Sequence, residues 1–250
     1  MSRAVAPLLV IAACFDPPPP PGDFVESHTE QFEIPEYPPP NFDVLIVVDD
    51  TPAMASYQAH LAGLANELVA QLRLIYGGIP NLHLAVTTSA AGGAFRTTQA
   101  MTEPFLADSL QFDGSRTVNY QGTLDSVLAD LLAVGAASTG ANQPLDAIRV
   151  VVGASGFLRR DAYAGVLVVS ASDDASPPDY YAQWLKGAYQ DPYGIIVGGI
   201  YPPGSAQLDS FLLSFDSRHG FASIDAVDWS PAYEMFGKVI RIPLSGLRCS

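Results

Sequence analysis

Apolar positions along this chain follow two rhythms, and their alternation predicts the architecture. Residues 44–48 (Val-Leu-Ile-Val-Val) form an unbroken apolar run, the pattern of a strand buried on both faces. A helical pattern follows, in which Leu61, Leu64, Leu68, Leu72 and Ile75 recur every three or four residues and stop near Gly77-Gly78. Residues 82–88 alternate as a strand does, whereas residues 90–116 are rich in glycine and polar side chains and predict a short edge strand within a long loop. Leu124, Val127, Leu128, Leu131 and Leu132 predict a second helix. Leu145, Ile148, Val151 and Val152 predict a third, opened by Pro144 where prolines are favoured. Residues 164–170 read as a buried strand, 180–189 as a helix and 195–200 as a strand. Leu208, Phe211, Leu212 and Phe215 share one helix face, 221–224 is a short strand, and 230–239 is the terminal helix. Strands alternating with helices require right-handed crossovers. The expected fold class is therefore α/β, Rossmann-like, with a mostly parallel central sheet and helices on both faces.

The first strand runs directly into chemistry. Val48 is followed by Asp49, Asp50 and Thr51, and a helical pattern starts near Pro52. Ligands of open α/β sheets collect at the carboxyl ends of the strands, which makes Asp49 and Thr51 the first candidates. Strand 164–170 leads into a second acidic pair, Asp173 and Asp174, at the same end of the sheet. Asp50 is expected to point away or to cap the helix after Pro52, since acids favour helix N-termini.

The N-terminus reads as an export signal: Arg3 precedes an apolar stretch over residues 4–13, too short to span a bilayer that needs about 20 residues. The stretch ends Ile11-Ala12-Ala13-Cys14, which resembles the lipobox of bacterial lipoproteins. That resemblance implies cleavage before Cys14, acylation of Cys14 and anchoring in a membrane, each buried acyl CH₂ contributing about 0.8 kcal/mol. With Cys14 lipidated, Cys249 is either free or paired with another molecule. Residues 15–41 hold nine of the 21 prolines and six acids but no lysine or arginine, so they read as an extended tether of about 3.1 Å per residue. The expected organisation is a lipoprotein signal peptide over 1–13, a lipid-anchored acidic linker over 14–41 and one domain over 42–250. Phe15 is not the aspartate that marks inner-membrane retention, which favours the outer membrane. A net charge of −14 with no basic cluster excludes nucleic acid as a partner.

Taken together, residues 43–54 (Asp-Val-Leu-Ile-Val-Val-Asp-Asp-Thr-Pro-Ala-Met), 143–147 (Gln-Pro-Leu-Asp-Ala), 156–162 (Gly-Phe-Leu-Arg-Arg-Asp-Ala), 166–176 and 228–230 (Asp-Trp-Ser) resemble the von Willebrand factor A-type domain of exported bacterial lipoproteins. The resemblance covers roughly residues 42–243. It implies a role in protein–protein contact or adhesion rather than catalysis. Such domains often carry a metal-ion-dependent adhesion site, with an Asp-x-Ser-x-Ser loop, a threonine from a second loop and an aspartate from a third, which hold Mg²⁺ through hard oxygens. Asp49 matches the first aspartate and Thr51 replaces the first serine. The remaining positions fall on Ala53, Ala136 and Ala171, which supply no ligand. The resemblance thus implies a degenerate site with no cofactor or only weak Mg²⁺ binding, unless Asp173 or Asp174 bends back to replace the missing acid. Cysteines common in such relatives are replaced here by Thr139, Ala175 and Asp225.

Other chemistries find no support in the sequence. A receiver domain needs a phosphoacceptor aspartate near residues 89–94, and none is present. His28, His60, His83 and His219 lack metal-ligand spacing, and there is no nucleophile elbow or phosphate-binding glycine fingerprint. The expectation is a non-catalytic, lipid-anchored protein of the bacterial cell envelope whose partner is another envelope or surface protein. The alternatives are a Mg²⁺-dependent adhesion module built on Asp49, Thr51 and Asp173 or Asp174, and an envelope hydrolase using Asp49 and Asp173.

Overall fold

Phe42, Val44, Ile46 and Val48 pack into one apolar layer and Leu45 and Val47 into another, so the first strand has two buried faces and needs a helical layer on each. The computed structural model describes residues 39–75, 78–89, 94–153 and 156–239. The expectations for Cys14, the signal peptide, most of the proline-rich linker and Cys249 lie outside the described residues.

In chain order the elements are β1 (Asn41–Val48), a 3₁₀ turn (Pro52–Tyr57), α1 (Gln58–Arg73), β2 (Asn81–Thr88), β3 (Leu106–Leu110), β4 (Arg116–Val118), α2 (Leu124–Leu132), α3 (Pro144–Val152), β5 (Tyr163–Val169), α4 (Pro178–Ala188), β6 (Ile195–Tyr201), α5 (Ala206–Leu213), β7 (His219–Ser223) and α6 (Ser230–Val239). The strands form one sheet in the order β4-β3-β2-β1-β5-β6-β7. The five strands from β2 to β7 are parallel, and β3 and β4 add an antiparallel hairpin at the β2 edge. The α/β class with a mostly parallel sheet is thus established. One face is covered by α1, α2 and α6, the other by α3, α4 and α5.

Three elements differ from the sequence pattern. The segment after Asp50 opens as a 3₁₀ turn before becoming α-helical at Gln58. α1 stops at Arg73, yet Ile75 remains buried beyond it. The polar stretch before residue 116 ends in a hairpin rather than a lone edge strand, because side chains hold it. Arg116 Nε donates to Asp108 Oδ1 at 2.6 Å, its other nitrogens donate to the carbonyls of Ile79 and Pro80, and Asn119 bridges Ala107 N and Phe105 O.

α6 lies unusually close to the sheet. Gly198 on β6 and Gly220 on β7 are register partners beneath its first turn, and a Cβ on either would approach the carbonyls of Ala232 and Pro231. Just before α6, buried Trp229 donates from Nε1 to Ile224 O and stacks on His60 of α1. Among the described residues no helix is long and apolar enough to cross a membrane.

Candidate functional site

The strand order reverses at β1: β2 lies on one side and β5 on the other, so the carboxyl ends of β1 and β5 flank the switch point of the sheet. Asp49 sits there, fully buried, with its N–H donating to Val169 O at 2.8 Å. A buried carboxylate is tolerated only when hydrogen bonds replace its water. Asp49 Oδ1 accepts from Thr51 N at 2.8 Å, while Oδ2 accepts from Ala171 N at 3.1 Å and from Ser170 Oγ at 3.2 Å. Asp49 therefore ties the turn after β1 to the turn after β5.

Of the four site residues read from the sequence, the structure brings Asp49 and Thr51 together and sends the other two elsewhere. Asp173 accepts from Gln207 N and Leu208 N, both at 3.1 Å, and so satisfies the first turn of α5. Asp174 is buried; one oxygen accepts from Leu145 N at 2.7 Å in the first turn of α3, and the other from Ser176 N. Both acids serve helix N-termini, where carboxylates are favoured. Among the hydrogen bonds of the described residues, both carboxylates are engaged at these helix starts and neither is bonded with Asp49. Asp50 does not cap the turn after Pro52, because that turn has no side-chain cap; its carbonyl accepts from Ser138 N instead.

The three alanines occupy different settings. Ala171 lies beside Asp49 through its N–H, Ala53 is exposed on the 3₁₀ turn, and Ala136 packs partly against the core. The residue of the α2–α3 loop that reaches into the network is Asn142, which the sequence reading missed. Its Nδ2 lies 2.8 Å from Ser170 Oγ and 2.9 Å from Ser172 Oγ. The available signal was slight: one of two adjacent amide side chains, Asn142 and Gln143, just ahead of Pro144 at the start of α3.

A hard dication needs several oxygens with free lone pairs, preferably anionic ones. Here Asp49 is bonded to N–H and O–H donors on both oxygens, Asp173 and Asp174 are bound to helix N-termini, and Asn142 turns hydrogens toward the cluster. Among the described residues the buried side-chain oxygens here without a hydrogen-bond partner are Asp50 Oδ1, Asn142 Oδ1 and Ser89 Oγ, of which one is an acid, one position off the adhesion-site pattern. The donor set does not fit Mg²⁺ as that pattern holds it. Asp49→Asn keeps the shape but leaves one acceptor oxygen for the N–H groups of Thr51 and Ala171. It is expected to cost about 1–3 kcal/mol in urea unfolding; an unchanged midpoint would mean the carboxylate is not needed as an acceptor.

A second buried acid lies at the opposite end of β1. Asp43 accepts from Arg159 N at 2.7 Å and Arg159 Nε at 2.8 Å, and Arg159 also donates to the carbonyls of Phe42 and Asn81. His83 Nδ1 is 2.8 Å from Phe157 O and 3.7 Å from Asp43. Burial pushes the Asp43 carboxyl up to about 6 although Arg159 opposes the rise. This cluster bonds β1 and β2 to the loop before β5, and it is structural in character.

No protein-family model matches the chain, and no curated protein is similar to it. Solved structures are similar at low identity. The von Willebrand factor type A protein from Catenulispora acidiphila aligns with 81% of this chain and 42% of its own, at 11% identity and a TM-score of 0.47. Proximal thread matrix protein 1 from the mussel byssus aligns over 81% and 48%, at 14% identity and 0.48. The SpRpn10 VWA domain aligns over 80% and 95%, at 11% identity and 0.45. The chain thus spans less than half the length of the first two. The fold class rests on the sheet order and the two helical layers rather than on these likenesses.

Proposed function

We propose that this chain is a lipid-anchored protein of the bacterial cell envelope, outer membrane rather than inner. In this reading its von Willebrand factor A-like domain makes protein–protein or adhesive contacts without catalysis and without a metal ion. The observation that carries the reading is the closure of the switch-point cluster: Asp49 is bonded to Thr51 N, Ala171 N and Ser170, and the nearby acids Asp173 and Asp174 are committed to α5 and α3. The Mg²⁺-dependent and hydrolase alternatives need a second acid beside Asp49, and the bonding of Asp173 and Asp174 to α5 and α3 supports the metal-independent reading over them. The partner is an envelope or surface protein, reached by a domain held off the membrane on the tether that follows Cys14.

Two arms test this. Cys14→Ser should move the protein from the membrane pellet to the soluble fraction and abolish incorporation of labelled palmitate; unchanged partitioning overturns the anchor. Cross-linking of the full chain in intact envelopes should capture the same discrete partner with EDTA or with Mg²⁺. Capture that depends on Mg²⁺ overturns metal independence, and an empty capture together with turnover of a substrate overturns the non-catalytic reading.

A further inference from the structure

Asn142 sits where the α2–α3 loop meets the turn after β5. Besides the two serine hydroxyls, its Nδ2 lies 3.2 Å from Ser172 O and 3.4 Å from Asp173 O. Those two oxygens are main-chain carbonyls, which only accept, so the surroundings fix which way the amide points. Ser170 has one proton and two acceptors within reach, Asp49 Oδ2 at 3.2 Å and Ser172 O at 2.6 Å. One amide hydrogen goes to Ser172 and the other to Ser170 Oγ, whose own proton lies nearer Ser172 O than the carboxylate. Contacts through Ser170 thus run from Asn142 to Asp49 and link three loops: the turn after β1, the α2–α3 loop and the turn after β5.

We propose that the Asn142 amide takes the place that a dication holds in the adhesion-site pattern. It presents partial positive charge to the oxygens gathered around Asp49 and fixes the loops in one arrangement without an ion. This deepens the metal-independent reading above and rests on it. The chemistry implies a simple conversion. Asn142→Asp replaces hydrogens with an acid oxygen, sets a second carboxylate against the Asp49 network, and leaves the Ser170 and Ser172 hydroxyls beside it as neutral oxygen ligands for a dication.

The test is thermal unfolding of the full chain in EDTA and in millimolar Mg²⁺, for wild type, Asn142→Ala and Asn142→Asp. Wild type should shift by less than about 1 °C between the two buffers, while Asn142→Ala should melt about 2–4 °C lower in both. Asn142→Asp should melt lowest in EDTA and recover at least half of its loss in Mg²⁺, which a merely structural asparagine would not produce. If that variant does not fold in EDTA, its refolding yield with and without Mg²⁺ gives the same readout. An Asn142→Ala midpoint equal to wild type, or an Asn142→Asp loss that Mg²⁺ does not recover, overturns the stand-in and leaves metal independence intact. Saturable stabilisation of wild type by Mg²⁺ overturns both.

Discussion

Arg159→Ala is expected to cost about 3–5 kcal/mol at neutral pH, because it strands a buried carboxylate, and distinctly less in acid. Asp43 is 1% exposed, and Arg159 supplies its charge partner and two of its hydrogen bonds. Burial raises the Asp43 carboxyl from 3.8 to about 6 in the folded protein. A raised folded value means the group's contribution to stability is fully present below 3.8 and is lost as pH climbs through about 6, in all about 3 kcal/mol. Removing Arg159 removes the charge that opposes this rise, so the folded value climbs further and the loss continues to higher pH. The stability gap between wild type and variant should therefore keep in acid the part due to lost hydrogen bonds and packing, and widen by at most about 1.4 kcal/mol per pH unit above 6. Other groups face the same carboxyl. Asp161 adds to the rise, and Tyr189 is itself pushed up by burial and by Asp43. His83, lowered chiefly by burial, has the opposite sign: its contribution is present above 6.5 and lost as pH falls. Urea unfolding of both proteins across a pH series, read as a difference, largely cancels the His83 contribution. A gap that stays constant with pH would show that Asp43 does not carry the effect.

The elements that sequence pattern predicted best are those whose own residues bury them. β1, β5 and β6 are apolar on both faces, and α1, α2 and α3 place buried leucines, isoleucine and valines at helical spacing. The hairpin of β3 and β4 was illegible for the opposite reason. Leu-Ala-Asp-Ser-Leu and Arg-Thr-Val carry little apolar alternation, and the pairing depends on Arg116 reaching Asp108, Ile79 and Pro80. Asp108 is eight residues away, but Ile79 and Pro80 lie 37 and 36 residues earlier, which no local window contains.

The same distinction divides the site. A strand ending in Asp49-Asp50-Thr51 announces its position, and Asp49 is found at the switch point. The fates of Asp173 and Asp174 were hidden, because the N–H groups that claim them belong to Leu208 and Gln207, more than thirty residues later, and to Leu145, 29 residues earlier. Helix N-termini compete with metal ions for carboxylates, and a sequence does not say which helix start comes within reach. Asn142 was hidden by its setting, beside a second amide, Gln143, in a loop otherwise of glycine, alanine, valine, serine and threonine with no acid to mark a site.

Gly198→Ala and Gly63→Ala, the same substitution at two glycines, should move stability in opposite directions. At Gly198 a Cβ would stand 2.3 Å from Ala232 O and 2.8 Å from Leu167 Cδ1. The nearer atom is main chain in the first turn of α6, so a side-chain rotation cannot relieve the clash. The turn would have to lift off β6 and β7, taking with it Ala232, Tyr233 and Phe236, all fully buried. Overpacking of this kind costs about 1–3 kcal/mol where neighbours can shift, and the upper end or beyond is expected where the neighbour is backbone. Gly63 lies on α1 with nothing within 4 Å of a built Cβ and no positive φ. There alanine only lowers the entropy of the unfolded chain and favours the helix, a gain of about 0.5–1 kcal/mol. Chemical denaturation of the two variants and their double mutant decides the matter, since sites on separate elements should add. A Gly198→Ala protein as stable as wild type would mean that α6 does not rest main chain to main chain on the sheet. The glycines of β6 and β7 would then need another explanation than the close seat they give that helix.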